Sequence, residues 1–251
     1  MVWQFSGLCA KRPAIYPFSG KNSKMSDRKG GILLHITSLP GNDGTGTLGK
    51  EAFRFVDFLS KSKQKLWQIL PLGQVGYGDS PYQCYSAFAG NIQLIDLEML
   101  TEDGWLEKAD LKSKTPFDYA QGDGQTERSR SLIQKSKQGS QQKADFEAAR
   151  KWKLPLLKKA YKNFQKNTEP FIQEYFYFQY EHKWWLDDFA LFMALKEHFA
   201  GETWHNWPVE IKFRKPEAVK HFREKLKEQI DLWMFLQWQF FRQWHGLKKY
   251  A

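Results

Sequence analysis

Along the chain, apolar and polar positions follow two regimes. Up to about residue 100 the apolar residues stand in short unbroken runs bounded by glycine and proline, and from about residue 144 they recur at three- and four-residue steps. The first regime predicts two buried strands, Gly31-Ile32-Leu33-Leu34-His35-Ile36 and Leu66-Trp67-Gln68-Ile69-Leu70, the second stopped by Pro71. Between them Ala52, Phe55, Val56 and Leu59 fall at i, i+3, i+4 and i+7, which predicts a helix over Lys50 to Lys61.

The second regime predicts helices to the end of the chain. Met99 to Leu111 reads as a loop and a short helix. Ala144 to Phe164 reads as one helix interrupted near Pro155. Another is opened by Pro170 and runs towards Phe199, with Gly201 as its stop. Trp204-His205-Asn206-Trp207-Pro208 is a turn, and Pro216 opens a last long helix through Tyr250. Trp233, Leu236, Phe240, Trp244 and Leu247 mark that helix with an aromatic stripe, read as core. Between the regimes, residues 112–143 are rich in Ser, Gln, Lys, Arg and Gly, and Leu132 and Ile133 are their only large aliphatics. Such a stretch buries too little apolar surface to order itself, so it is expected to be a disordered insert. Residues 1–28 are expected to be a disordered extension ahead of the fold.

Composition narrows this picture in three ways. Cys9 and Cys84 form neither a disulfide framework nor a metal pattern, so a reducing compartment is expected and no metal. Lys11 and Arg12 follow the short apolar start, the reverse of the order in a signal peptide, and no run of 18 apolar residues predicts a membrane span. The expected location is the cytoplasm. The net charge of +10 comes from 38 Lys+Arg against 28 Asp+Glu, interspersed as in Lys220 to Glu228. Mixed signs on helix faces read as a solvated surface rather than a nucleic-acid footprint.

The candidate chemistry lies in the stretch after the second strand, Gly76-Tyr77-Gly78-Asp79-Ser80-Pro81-Tyr82-Gln83-Cys84-Tyr85-Ser86-Ala87-Phe88-Ala89-Gly90-Asn91. Glycines and Pro81 specify a shape for it. Rings beside short polar groups suit a polyhydroxylated ligand, since a sugar has an apolar face and a polar edge. The alternative reading is a long loop whose tyrosines fill the core. A second motif, Gly44-Thr45-Gly46-Thr47-Leu48-Gly49, spells a dinucleotide-binding fingerprint. Eight residues separate it from the strand, and Lys61 through Gly78 lacks the acid that would grip a ribose, so a plain strand-to-helix loop is the reading. His35 at the first strand's end is read as satisfied by the core. Asp187 and Asp188, adjacent on a helix, point apart and cannot form a catalytic pair.

The loop motif, with GGILLHITSLPG and WQILPLG before it, resembles the amino-terminal part of the 4-alpha-glucanotransferases (amylomaltases, disproportionating enzymes) of glycoside hydrolase family 77. Leu94-Ile95-Asp96-Leu97, Trp152 to Leu157, Trp185 to Phe192 and Phe240 to Trp244 agree in the same order. Ile36 and Ile92 stand where the family usually has proline, and Cys84 where it usually has serine. The resemblance implies an α/β fold: an incomplete (β/α)8 TIM barrel, of which residues 29–100 hold the first two strands and residues 101–251 a mostly helical insertion subdomain. It implies transfer of alpha-1,4-glucan segments between maltooligosaccharides by a retaining mechanism, without cofactor. It also implies that Ser80 and Tyr82 hold the glucan just past the scissile bond and that Tyr77 belongs to a secondary glucan site. Asp79 is expected to fix the loop through backbone N–H groups. The catalytic carboxylates are expected beyond residue 251, so none is assigned here and the chain by itself is expected to be inactive.

Two other functions remain open on the sequence: a non-catalytic glucan-binding fragment, and a basic aromatic helical protein binding nucleic acid or a partner. With two strands pairing only each other, both outer edges stay open. Collapse without a unique core is then the expected outcome.

Overall fold

The computed structural model describes residues 2–4, 28–41, 43–112, 145–169 and 171–251. Most of the expected extension and the expected insert lie outside these residues. Strands β1 (Val2–Gln4), β2 (Gly31–Leu33) and β3 (Leu66–Gln68) form one sheet in the order β1-β3-β2. β2 and β3 are parallel, with Ile32 opposite Trp67, and helix α1 (Lys50–Lys61) is the crossover that a parallel pair requires. It turns Ala52, Val56 and Leu59 into the core as their spacing predicts. β1 was not legible in the sequence. It pairs antiparallel with β3, Trp3 opposite Trp67, and so covers the edge of β3 that was expected to stay open.

The rest is helical, and in outline as expected. Helices α2 (Leu97–Glu102) and α3 (Lys108–Lys112) are short; α4 (Phe146–Lys166) and α5 (Ile172–His198) are long. After them come α6 (Val209–Lys212), α7 (Pro216–Lys225) and α8 (Lys227–Tyr250). No helix among the described residues is long and apolar enough to cross a membrane.

Two differences from the sequence reading have physical causes. α4 runs unbroken through Pro155, because Trp152, Leu157, Ala160, Tyr161 and Phe164 are buried on both sides of it and their packing outweighs one lost backbone bond. The expected single helix from Pro216 breaks at Leu226, which leaves helical geometry (φ −108°, ψ 23°) while its side chain stays buried. The apolar positions 219, 222, 226, 230 and 233 keep a helical rhythm across the break, which hides it in the sequence.

The two parts share one buried cluster, running from Ile36 and Leu48 through Ile95 and Leu100 to Trp185, Phe235 and Leu247. A collapsed chain without a unique core is therefore not what the structure shows. α8 supplies the missing contacts: Trp233, Phe235, Leu236, Trp238, Phe240 and Leu247 are buried as the stripe predicts.

The join is polar as well as apolar. Residues Gly90 to Asp96 cross between β3's loop and α2 with little regular structure, only the 3-10 turn Ile92–Leu94. Their backbone groups are met by buried side chains. Gln237 accepts from Gly90 N at 2.7 Å and donates to Gly90 O at 3.0 Å. Gln243 does the same for Asp96, at 2.7 and 3.0 Å. From the other side the fully buried Lys153 of α4 donates to Gln93 O (2.8 Å) and Ile95 O (2.9 Å) and pairs with Asp43 at 3.1 Å. Two backbone carbonyls and one carboxylate surround the ammonium. Gly90 is glycine because a Cβ there would stand 2.0 Å from the Phe240 ring, blocking the approach that the Gln237 bonds need.

Removing one of these amides strands two buried backbone groups. Gln237→Leu is expected to lower the stability of the chain by about 2–4 kcal/mol, read from urea unfolding, with the slope unchanged. A loss under about 0.5 kcal/mol would show that water or a rearranged segment takes over.

Candidate carbohydrate site

β3 points its C-terminal end at the loop Gly76 to Asn91, and the loop's own backbone gives it shape. Gly73 faces Gly90 and Val75 faces Cys84 in antiparallel bridges. Gly76 N donates to Gln83 O at 2.9 Å and Tyr85 N to Gln74 O at 2.9 Å. The buried Gln74 side chain accepts from Ile92 N at 3.1 Å and so ties the loop's base to the 90–96 segment. At the tip, Tyr77–Asp79 form a 3-10 turn in which Gly78 (φ 77°) and Asp79 (φ 51°) are both left-handed.

Each expected site residue can now be placed. Ser80 is half-buried, and its Oγ accepts from Tyr82 N at 3.3 Å, so the hydroxyl braces the turn. Tyr82 is 73% exposed and Tyr85 39%, so neither of these two tyrosines fills the core. The backbone of Tyr77 is in the turn, while its side chain lies outside the described part. Asp79 departs from expectation: its carboxylate takes the guanidinium of Arg150 on α4, where backbone N–H groups had been expected. The left-handed Asp79 backbone (φ 51°) goes with a side chain that meets α4.

The loop has further neighbours on α5 that sequence patterning did not bring to it. Tyr85 lies 5.7 Å from Phe192 with the Lys196 ammonium 5.3 Å from its ring, and Phe88 meets Trp184 edge-on at 4.5 Å. Loop and α5 thus form one aromatic surface. The signal was present in Phe176, Tyr177, Tyr180 and Trp184, aromatic positions off the buried stripe of Tyr175, Phe178, Trp185 and Phe189.

The glycine motif has a packing role. Gly49 is bare because a Cβ there would sit 1.9 Å from the carboxylate of Asp96. That carboxylate accepts from Thr47 Oγ1 at 2.7 Å and from Met99 N at 3.0 Å, capping α2. The cleft of about 400 Å³ beside the motif is lined by Asp43, Glu51, Asp96 and Glu98 with a lone Lys50. Four acids repel a phosphate chain, so the resemblance to a nucleotide loop stops at the glycines.

Asp188 accepts from Arg214 at 2.7 Å, joining α5 to the turn after α6. Among the described residues, no group of three or more His, Cys, Asp or Glu converges as a metal site would require. His35 differs from expectation: it is half-buried at the end of β2, and its Nδ1 has no partner among the described residues. Burial lowers its pKa below the usual 6.5.

Exposed rings thus stand beside short hydroxyls at the end of a parallel strand on an α/β scaffold. Comparison with known proteins gives the family. The family model for 4-alpha-glucanotransferase matches residues 34–251. The 4-alpha-glucanotransferase of Clostridium butyricum is 44% identical over 219 residues, 87% of this chain and 40% of that protein. That of Thermus thermophilus is 40% identical over 222 residues, 88% of this chain and 39% of its own length. The solved amylomaltase from Streptococcus agalactiae, in complex with acarbose, superposes with a TM-score of 0.71 at 40% identity, over 89% of this chain and 41% of that one. The chain belongs to the 4-alpha-glucanotransferase family, whose members are glucan-transferring enzymes. It spans about 40% of the length of the curated relatives it matches.

The histidines give a test of the burial pattern. Burial pulls the half-buried His35 and His182 below 6.5, so the folded chain favours their neutral forms where the unfolded chain takes up protons. Stability is therefore complete above pH 6.5 and falls as pH drops below it. The thermal midpoint should decrease between pH 7 and pH 5.5, and less so in His35→Gln. A flat profile over that window would show these rings to be solvated.

Proposed function

We propose that this chain forms the amino-terminal part of an amylomaltase-type 4-alpha-glucanotransferase. In this reading β2 and β3 are the first two strands of a (β/α)8 barrel, and α2 to α8 are the insertion that follows the second. The loop Gly76 to Asn91 then sits at the barrel mouth, where such enzymes bind substrate. The observation that carries the reading is Tyr82: a ring 73% exposed on a loop whose backbone is otherwise pinned, which the fold does not use.

The chemistry is that of a retaining transferase. A carboxylate oxygen attacks the anomeric carbon while a carboxylic acid protonates the departing glycosidic oxygen. The glucosyl-enzyme ester is then opened by the 4-hydroxyl of a second glucan, whose proton returns to the same residue. The attacking carboxylate and the acid belong to the part of the relatives' length that this chain does not span. Its own residues bind. Ser80 and Tyr82 hold the acceptor glucan, Tyr77 belongs to a second glucan contact, and Asp79, through Arg150, fixes the loop against α4. The substrate class is alpha-1,4-glucan.

Incubated with maltotriose, the chain is expected to release no glucose and build no longer oligomers; a disproportionation ladder above a blank preparation would overturn the division of labour. In native gels cast with amylose it should be retarded, and Tyr82→Ala should weaken the retardation about five- to tenfold. Equal retardation of the two would remove Tyr82 from the site.

A further inference from the structure

β1 is joined to the sheet differently from the other two strands. β2 and β3 run parallel across the α1 crossover, and their pairing continues beyond the strands. Lys65 N donates to Gly30 O at 2.8 Å, Leu34 N to Gln68 O at 3.0 Å and Trp67 Nε1 to Leu34 O at 2.8 Å. β1 runs antiparallel to β3, and it lies on the far side of β3 from β2, the strand that follows it in the chain. It pairs over Val2, Trp3 and Gln4 only. Gln68 O meets Leu34 N, so the peptide groups of residue 68 face β2. Alternation along the strand turns those of Trp67 the other way, to Trp3 directly opposite. One hydrogen-bonded pair, Trp3 with Trp67, therefore holds β1 in place.

We infer that the outer edge of β3 is a strand-accepting surface and that Val2–Gln4 is its resident, exchangeable ligand. The partner it fits is an extended polypeptide segment that adds to the sheet through its backbone. The edge is occupied in this chain rather than bare, so the kind of group it takes is on view. Its occupant is weakly held. Three residues with one bonded pair return little for the conformational freedom they give up, whereas β2 is tied at both ends and through a side chain.

A sheet edge has one set of N–H and C=O groups, so β1 and an incoming strand exclude each other. While β1 is seated, the edge cannot template pairing between two copies of the chain. In the barrel reading proposed above, strands are parallel to their neighbours and this edge belongs to the third strand. The antiparallel β1 then holds that strand's place and leaves before it pairs. Naming the incoming strand rests on the barrel reading; the exchange of β1 does not.

The test uses the 251-residue chain, with amide hydrogen exchange followed by NMR. The Trp67 amide is expected to exchange at least about tenfold faster than the Leu34 amide, because β1 leaves while the rest stays folded. Equal rates would make β1 an integral strand and overturn the inference. Trp3→Pro removes the donor of the bonded pair and should speed exchange at Trp67, with Leu34 and the circular dichroism spectrum unchanged. Loss of the spectrum would show that the fold depends on β1 and overturn the inference equally. A clamp supplies the opposite case. Val2→Cys with Gln68→Cys, placed in a chain carrying Cys9→Ser and Cys84→Ser, puts two thiols on a directly opposite pair with Cα atoms about 4.5 Å apart, within reach of a disulfide. In sedimentation, Trp3→Pro should associate as its concentration rises, and the oxidised clamp should not. If the two sediment alike, the edge accepts no strand and the inference falls. None of these measurements uses a glucan, so the amylose test of the loop is decided separately.

Discussion

The backbone of residues 90–96 must find hydrogen-bond partners in a place where no strand can supply them. This stretch lies inside the core, between a loop and a helix, and an unpaired buried N–H or C=O there would cost about 1–3 kcal/mol. Gln237 and Gln243 offer an amide each, the same donor and acceptor a neighbouring strand would present, and Lys153 fills the other side. The arrangement explains why α8 is polar at those two positions in the middle of an aromatic stripe. It also explains why the helical part cannot drift from the strands: a shift of one ångström would break six bonds together.

That constraint organises the site. Segment 90–96 anchors Gln74, Gln74 anchors the base of the loop, and Asp96 both caps α2 and fills the space vacated by Gly49. The loop needs no ligand to be shaped. Among the described rings of the loop, Tyr82 is the most exposed, as it would be if rigid backbone were holding a binding group ready.

Much of this was legible in the sequence where the pattern is local. Short apolar runs with proline stops gave β2 and β3, the i, i+3, i+4 spacing gave α1, and the last helix's stripe proved to be core. What escaped is long-range or contrary to local preference. β1 has three residues and no periodicity to read. Pro155 breaks helices in isolation and is overruled here by burial. The break at Leu226 has no glycine or proline to announce it. Lys153 and Gln237 look like surface residues by type, and only the fold shows that each faces a polar backbone. Arg150 reaches Asp79 across 71 positions, a pairing that no spacing rule connects.

That last contact has a thermodynamic consequence. Arg150 belongs to α4 and Asp79 to the turn that carries Ser80 and Tyr82, so the ordering of the loop and the docking of α4 share one free energy. Coupling of this kind is reciprocal. A sugar that steadies the turn tightens the seat of α4, and anything that loosens α4 weakens the sugar by the same factor. The turn and α4 therefore share an ion pair half open to water, a link between loop and helices that added salt would weaken while the buried amide bonds and ring contacts persist.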